Sequence, residues 1–521
     1  MSKIYRGVTI FLAVWLAAWM WLSWPAMQDD AFIHLRYAVN LLQHHIIAYD
    51  GVHPDYGTSS LLYVGMLALL RSVFTSPILP RVVSSVFHGL LFGGSVWAFA
   101  RVLRPAPKLA WAFALLLLGV LAAPMAVRWL DDGMETSLAL CLVSLAAFSV
   151  SRLCHSQTVS MRSALWLFSL GLFATLTRVE YLLLFGMASL MLFTARLRLP
   201  EEAARLRERS GFLRLAARCA APLLGSLVAA AMIFFTMHSL MPDTAIAKAD
   251  GSGAWIGTLH AMLSVLVSSF SFGLLLMLFW LVTVAAVIAY KRRLSLPVLL
   301  ANSLFPLTVA LTAVRGQQVQ GVRYLVWTLF FPILWNTLEL RWSGAEPLRS
   351  TSRALLLATY GLTAMLILVV PIESWMLYRL FSAREQSLAA IRAQHLERLG
   401  SLNVVAFDVG YIGYFTESPL CDMAGLVNGR VRASLPFEAR VQRCAAEHPQ
   451  YAFVSQFSLG ELNNHLDLSG WSLCSVYDFA NLRASDLHYL IASPAATQRV
   501  CDATGSSPKP VELLLHPASS Q

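Results

Sequence analysis

Charged residues are scarce in this chain. Only 13% of its 521 residues are Asp, Glu, Lys or Arg, whereas soluble domains average about 25%. Hydrophobic residues make up 57%, and apolar runs recur as far as Pro371 at the length of about 20 residues that a membrane-spanning helix needs. The shortage of charge excludes an ordinary soluble enzyme and predicts a polytopic α-helical membrane protein.

Several common motifs are absent as well. The sequence has no CxxC or Cys/His spacing typical of a zinc site, and no P-loop, zincin or Ser/His/Asp arrangement. Its net charge of +10 is not gathered in a basic patch interleaved with aromatic residues, so we expect no nucleic-acid partner.

Basic loops alternate with loops of mixed polarity. Lys and Arg favour the cytoplasmic loops of membrane proteins, which places the basic clusters and the N-terminus inside and the mixed loops and the C-terminus in the periplasm. The first apolar run is interpreted as a retained helix rather than a removed signal. This topology requires an odd number of spans, and we expect about eleven, with one short segment between residues 58 and 125 not crossing. The basic clusters are 101–108, 151–162, 195–218, 290–293 and 341–353.

The composition becomes mixed and polar after Pro371. An amphipathic helix pattern covers 382–401, and short strand-like runs begin at Asn403, Tyr451, Trp471 and His488. We therefore predict a transmembrane domain over 1–371 and a small periplasmic α/β domain over 372–521.

Four of the seven cysteines lie in this C-terminal domain, namely Cys421, Cys444, Cys474 and Cys501. In an oxidising periplasm they could form two disulfides, in one of three pairings. The alternative is that all four remain unpaired buried thiols.

The first polar loop opens on two consecutive carboxylates, Asp29 and Asp30. Consecutive helical residues do not share a face. Either Asp could cap the helix that begins near Ala31. The sharper hypothesis is that one of them is a general base for a hydroxyl nucleophile, while the other orients the acceptor or holds a divalent cation (Mg²⁺, Ca²⁺ or Mn²⁺). His34 and Arg36 follow, and would face either an anionic phosphate or the lipid headgroups.

Motifs in the mixed loops follow one another in a recognisable order. They are "DDAFIHLRYAVNLL" from Asp29, "PDYGTSSLLYVG" from Pro54, "GMET" from Gly133, "LTRVEY" from Leu176, "LMPDTAIAK" from Leu240, "RY" at Arg323 and "DVGYIGYFTESPLCDMAGL" from Asp408. Together they resemble the membrane-embedded GT-C glycosyltransferases, and most closely the bacterial group that contains the mycobacterial terminal β-(1→2) arabinofuranosyltransferase AftB. Val179 and Asp243 depart from that pattern, where the family has Pro and Asn.

This resemblance implies an inverting glycosyltransferase of the bacterial inner membrane, with a GT-C-like bundle and a periplasmic active site. The donor would be a polyprenyl-phosphate monosaccharide that enters from the membrane lipid, with arabinofuranose as one candidate sugar. The acceptor would be an envelope glycan, lipid or protein. The sequence itself agrees, because a bundle with carboxylates and basic groups at one interface suits a ligand that has an apolar tail, a phosphate and a sugar.

Candidate roles follow from charge. Either Asp29 or Asp30 is the base, with Asp29 slightly favoured. Fixed cations lower the cost of negative charge that develops on a departing phosphate, and the candidates are Lys248, Arg323, Arg178 and His34. The candidates for binding sugar are Glu135, Glu180, Tyr56, Asp243 and Thr244. The alternative for the two glutamates is an ion pair with an arginine such as Arg128 or Arg178.

Two rival functions remain open at this stage. One is a transporter or flippase of lipid-linked sugars without transfer chemistry, although we find no internal repeat. The other is a glycan ligase or polymerase that uses a diphosphate-linked donor. The "DVGYIG" stretch does not have the spacing of a dinucleotide fingerprint. Asp408 is predicted to fix a turn in the C-terminal domain, and the alternative is a contact with glycan.

Overall fold

The computed structural model describes most of the chain, and Arg323 lies outside the described residues. The described ranges are 3–24, 26–103, 106–156, 158–197, 209–248, 272–291, 295–314, 326–342, 349–479, 486–511 and residue 514.

Helices dominate the chain as far as residue 393. They are α1 (Lys3–Leu22), α2 (Asp29–His44), α3 (Leu61–Arg71), α4 (Leu79–Val102), α5 (Lys108–Leu121), α6 (Pro124–Leu130), α7 (Thr136–Cys154), α8 (Met161–Thr177), α9 (Tyr181–Arg196), α10 (Arg209–Met237), α11 (Asp243–Ala247), α12 (Phe272–Lys291), α13 (Leu296–Val314), α14 (Val326–Glu339) and α15 (Arg349–Ala393). The chain is therefore a multi-pass membrane protein, with its spans packed around a continuous apolar core.

Span length separates these helices into classes. Within the described ranges, six helices are long and apolar enough to cross a membrane, and a seventh span results if α5 and α6, which are bent by 64°, are counted as one. Helix α3 has 11 residues and at about 1.5 Å per residue cannot cross the roughly 30 Å of hydrocarbon. The expected number of about eleven spans stays a prediction, but α3 lies where a non-crossing segment was expected.

Helix α15 runs unbroken from Arg349 to Ala393, with Pro371 inside it. The predicted amphipathic helix at 382–401 is therefore mostly the continuation of this spanning helix. The predicted domain boundary after Pro371 falls in the middle of the helix, because the change in composition marks a change of surroundings and not an end of the helix.

The chain after α15 forms the sheet domain (residues 394–511). Its mixed six-stranded sheet has the order β2-β1-β3-β5-β4-β6, in which β1 pairs in parallel with β2 and β3, and the remaining pairs are antiparallel. The elements are β1 (Val404–Ala406), β2 (Leu420–Asp422), β3 (Tyr451–Ser455), β4 (Ser472–Asp478), β5 (Leu487–Ala492), β6 (Lys509–Pro510), α16 (Val409–Thr416), α17 (Arg430–Ala433), α18 (Phe437–Ala446), α19 (Gln456–Asn463) and α20 (Thr497–Thr504).

The two faces of the sheet bury different cores. Because strand side chains alternate between faces, Phe453 joins an apolar cluster that also contains Phe32 of α2 and Tyr63 of α3. Val454, the next residue, joins a second cluster made within the sheet domain. One side of the sheet is thus packed directly on the first loop and its helices.

Two disulfides cross-link the elements around these cores. Cys421 of β2 is bonded to Cys444 of α18, and Cys474 of β4 is bonded to Cys501 of α20. The pairing selects one of the three possibilities left open by the sequence, and each bridge ties a strand to a helix on its own face of the sheet.

Candidate active site

Asp29 joins the membrane helices to the sheet domain. Helix α2 begins at Asp29, and its carboxylate accepts hydrogen bonds from the backbone N–H groups of Gly410 at 2.8 Å and Tyr411 at 2.7 Å. N–H groups in the first turn of a helix have no acceptor within the helix. The side chain of the residue at the N-cap position ordinarily accepts their hydrogen bonds. Asp408, at the N-cap position, instead bonds His488. Asp29 therefore supplies the cap from another part of the chain.

The glycines of "DVGYIGYF" make this close approach possible. A Cβ at Gly410 would overlap the backbone of Asp29, and a Cβ at Gly413 would overlap the ring of Tyr49. The Tyr49 hydroxyl donates to the Val409 carbonyl at 2.6 Å. The motif is thus a flat helix face against which the first loop packs.

Asp30 lies on a different side of α2 from Asp29. Residues three or four apart share a helix face. Asp30 therefore lies on the face of His34. Asp29 lies on the face of Phe32, and the ring of Phe32 packs on Tyr411. His34 is buried and contacts Thr58 at 2.8 Å and Glu135 at 3.2 Å. Asp29 is placed at α16 by its two backbone hydrogen bonds, and the expectation that Asp30 serves a different surface stays a prediction.

Arg178 holds the next part of the site together. Its Nη1 donates to Glu135 at 3.1 Å and its Nε to Glu180 at 2.6 Å. Burial raises the pKa of Glu135, but the hydrogen bond with His34 and the charge of Arg178 outweigh it and hold that pKa well below its usual range. Both predicted glutamates are therefore paired with Arg178, which is the alternative stated from the sequence. Arg178 and His34 are correspondingly already balanced by carboxylates.

The loop before α11 is tied to the first loop. The Asp243 N–H donates to the Tyr56 carbonyl at 2.8 Å, and the Tyr56 N–H donates back to the Asp243 carboxylate at 3.2 Å. Tyr56 is buried, while Thr244 and Lys248 are half-buried at the two ends of α11. The charges of Glu180 and Asp243, together with burial, raise the pKa of Tyr56. The motifs from 56, 180 and 243 thus meet in space, and Arg323 lies outside the described residues.

Asp55 is a site residue that sequence reasoning missed. It accepts a hydrogen bond from the Tyr37 hydroxyl and another from the Tyr49 N–H at 3.3 Å. Burial, assisted by the charge of Asp243, raises its pKa to about 8. The only signal for it was its position beside Tyr56, because its partner Tyr37 lies 18 residues away.

The divalent cation expected at Asp29 or Asp30 stays a prediction. Each oxygen of the Asp29 carboxylate already accepts one backbone N–H bond, which leaves one lone pair on each oxygen. Among the residues that the structure describes, no group of three or more His, Cys, Asp or Glu side chains is placed to hold a metal ion. We therefore derive no step through a metal.

Sequence comparisons describe only the C-terminal part of the chain. The model of a domain of unknown function, DUF8728, matches residues 381–499. No curated protein matches the chain. The matched region covers the end of α15 and most of the sheet domain.

Structural comparison covers nearly all of the chain. ArnT from Cupriavidus metallidurans, crystallised with undecaprenyl phosphate, superposes with a TM-score of 0.51 at 14% identity, over 93% of this chain and 98% of ArnT. The apo form of ArnT gives the same TM-score and identity over 94% of this chain and 98% of ArnT. The chain has an ArnT-like fold. The likeness shows the fold, while the resemblance to the GT-C glycosyltransferases and to the AftB group stays a prediction.

Proposed function

We propose that this chain is a membrane glycosyltransferase that moves one monosaccharide from a polyprenyl-phosphate donor to an acceptor hydroxyl. The observation that carries the proposal is the face of α2 that bears Asp30 and His34, around which Glu135, Arg178 and the Tyr56–Asp243 pair gather on an ArnT-like fold. ArnT is a GT-C glycosyltransferase, and its structure with undecaprenyl phosphate supports a lipid-phosphate donor here.

Asp30 is the general base in this proposal. Its carboxylate takes the proton of the acceptor hydroxyl as that oxygen attacks the anomeric carbon. The bond between the sugar and the phosphate breaks, the polyprenyl phosphate leaves with the electron pair, and attack from the opposite side inverts the anomeric configuration. Asp29, which caps α16, acts as a positioning residue that holds the start of α2 in place. The sequence had slightly favoured Asp29 as the base, and its two backbone hydrogen bonds move our preference to Asp30.

The remaining roles divide by charge. Lys248 and Arg323 stay the candidates among the predicted residues for stabilising the leaving phosphate, because a fixed cation there lowers the cost of developing charge. Arg178 and His34 instead hold Glu135 in its ionised form. Glu180, Tyr56, Asp243 and Thr244 offer hydrogen-bonding groups for sugar hydroxyls.

The two disulfides support a periplasmic sheet domain, since such bonds persist in oxidising compartments. With the ArnT-like fold, they favour a bacterial inner-membrane enzyme whose acceptor is an envelope glycan, lipid or protein. Arabinofuranose remains one candidate sugar.

Complementation of a deletion strain tests the proposal. Wild-type protein, Asp30→Asn and Asp50→Asn would be expressed at equal levels, and envelope lipids and glycans compared by mass spectrometry. We expect one sugar modification to be lost on deletion, restored by wild type, and absent with Asp30→Asn, because loss of a general base costs about 10²–10⁴ in rate.

Asp50 is the matched control, since it is a half-exposed acid of the same loop whose carboxylate bonds its neighbours Val52 and His53. Asp50→Asn should restore the modification. Full restoration by Asp30→Asn, or an unchanged set of sugars after deletion, would refute the proposal.

A further inference from the structure

Arg128 is a buried cation whose hydrogen-bonding groups are not satisfied. Its side chain is 8% exposed, and its Nε and Nη1 atoms are buried without a hydrogen-bond partner. The guanidinium lies over the ring of Trp129, 5.0 Å from its centroid. A buried charge is ordinarily paired or hydrogen-bonded, so Arg128 has unused binding capacity.

A second arginine faces it. Helix α15 packs against α6, and the positive charge of Arg384 on α15 opposes that of Arg128. Arg384 is half-buried, and its Nε donates to the Phe479 carbonyl at 3.1 Å. Two like charges in a partly buried environment repel each other, and an anion bound between them stabilises both.

This arginine pair lies beside the first-loop acids. The charge of Asp132 attracts Arg128, and the Asp132 carbonyl accepts from the N–H of Gln28 at 3.1 Å. The charge of Arg384 acts on Tyr411, whose hydroxyl donates to the Met27 carbonyl at 3.0 Å. Both arginines therefore flank the segment that leads into Asp29 and Asp30.

The pair also lies near the level of the lipid headgroups. Trp375 and Tyr378 of α15 are exposed by 63% and 62%, as expected of aromatic residues at a membrane interface. Arg379 stacks on Trp375 at 5.2 Å. Arg384 follows about one and a half turns later on the same helix.

We infer that Arg128 and Arg384 form a binding site for the phosphate of a lipid, next to the segment that leads into Asp29 and Asp30. Two guanidinium groups offer paired N–H donors that match phosphate oxygens. The inference deepens the proposed function and rests on it for the choice of a lipid-borne phosphate. The lipid is either the polyprenyl phosphate of the donor or a phospholipid.

Binding to purified full-length protein in nanodiscs tests the site. Titrations would use undecaprenyl phosphate, phosphatidic acid and inorganic phosphate, with wild type, Arg128→Gln, Arg384→Gln and Arg379→Gln. We expect each of the first two variants to weaken lipid-phosphate binding by about tenfold or more. Arg379 is the matched control, because it has the same charge, lies on the same helix and is already engaged with Trp375; its loss should change affinity by less than about twofold.

Each outcome has one meaning. If only undecaprenyl phosphate depends on the two arginines, the ligand is the donor; if phosphatidic acid binds equally well, the ligand is a phospholipid phosphate. If Arg384→Gln, a half-buried change that leaves the core intact, binds all probes like wild type, the site is refuted and Arg128 is only an unpaired core residue. If binding depends on the arginines but no sugar is lost on deletion, this site stands and the proposed function fails.

Discussion

Replacing Asp29 by Ala should loosen the start of α16 without disturbing the helices of the bundle. Its carboxylate is the acceptor for two backbone N–H groups, at 2.8 and 2.7 Å. Hydrogen bonds to a charged group contribute about 1.5–3 kcal/mol each. Burial and the charge of Asp408 raise the pKa of Asp29 well above its usual range. The charged form is therefore disfavoured in this place, and this cost offsets part of the gain.

A net loss of about 2 kcal/mol follows for local opening of α16, and at 1.4 kcal/mol per factor of ten it corresponds to roughly thirtyfold faster amide exchange. Hydrogen exchange followed by mass spectrometry would measure it in peptides that span 405–416. Asp30→Ala removes the same charge one residue away and should leave these amides protected. Equal exchange in the two variants would contradict the capping role of Asp29.

A glycine substitution examines the same junction from the other side. Gly410→Ala places a methyl group against the backbone of Asp29, whereas Gly460→Ala, in α19, meets nothing within 4 Å. Only Gly410→Ala should accelerate exchange in 405–416. Protection that survives Gly410→Ala would show that the close approach of α2 and α16 is not needed.

Two further predictions concern buried charge. Arg178→Gln removes the arginine that pairs with the buried carboxylate of Glu135 and should cost about 3–5 kcal/mol of stability. Thermal unfolding of the Arg178→Gln/Glu135→Gln double variant should recover most of that loss, and an additive loss would contradict the ion pair. Burial lowers the pKa of His488, but its bond to Asp408 and nearby acidic charges raise it from 6.5 to about 8. The protonated form therefore stabilises the fold by about 2 kcal/mol below pH 6.5, and this contribution is lost as the pH rises through 8. The unfolding temperature of wild type should fall over that range while that of His488→Gln stays flat, and parallel curves would refute the pairing.

The sequence predicted the helical bundle because long apolar runs require it. It also placed β1, β3, β4 and β5, because each lies in a run of apolar or aromatic residues. It missed β2 and β6, which consist of Leu-Cys-Asp and Lys-Pro and do not stand out as apolar runs. Both owe their strand form to neighbours far along the chain, such as Val405 beside Cys421.

The contacts among the candidate site residues were not predictable from the sequence. Spacing alone predicted that Asp29 and Asp30 face different surfaces. It did not reveal that the partner of Asp29 is a helix 381 residues away. Nor did it distinguish Arg178 from Arg128 as the partner of Glu135, because both arginines follow apolar segments and only packing decides which one reaches the carboxylate.

Helix α15 has a mechanical consequence. Its 45 residues make a rod of about 67 Å, more than twice the roughly 30 Å thickness of the apolar layer. The rod carries the sheet domain at its far end, and Asp29 fastens that domain back to the bundle. A change in the tilt of α15 would therefore move the sheet domain relative to the bundle. The helix can bend at Pro371, which lacks a backbone N–H; if it does not, the strain falls on the hydrogen bonds between Asp29 and α16.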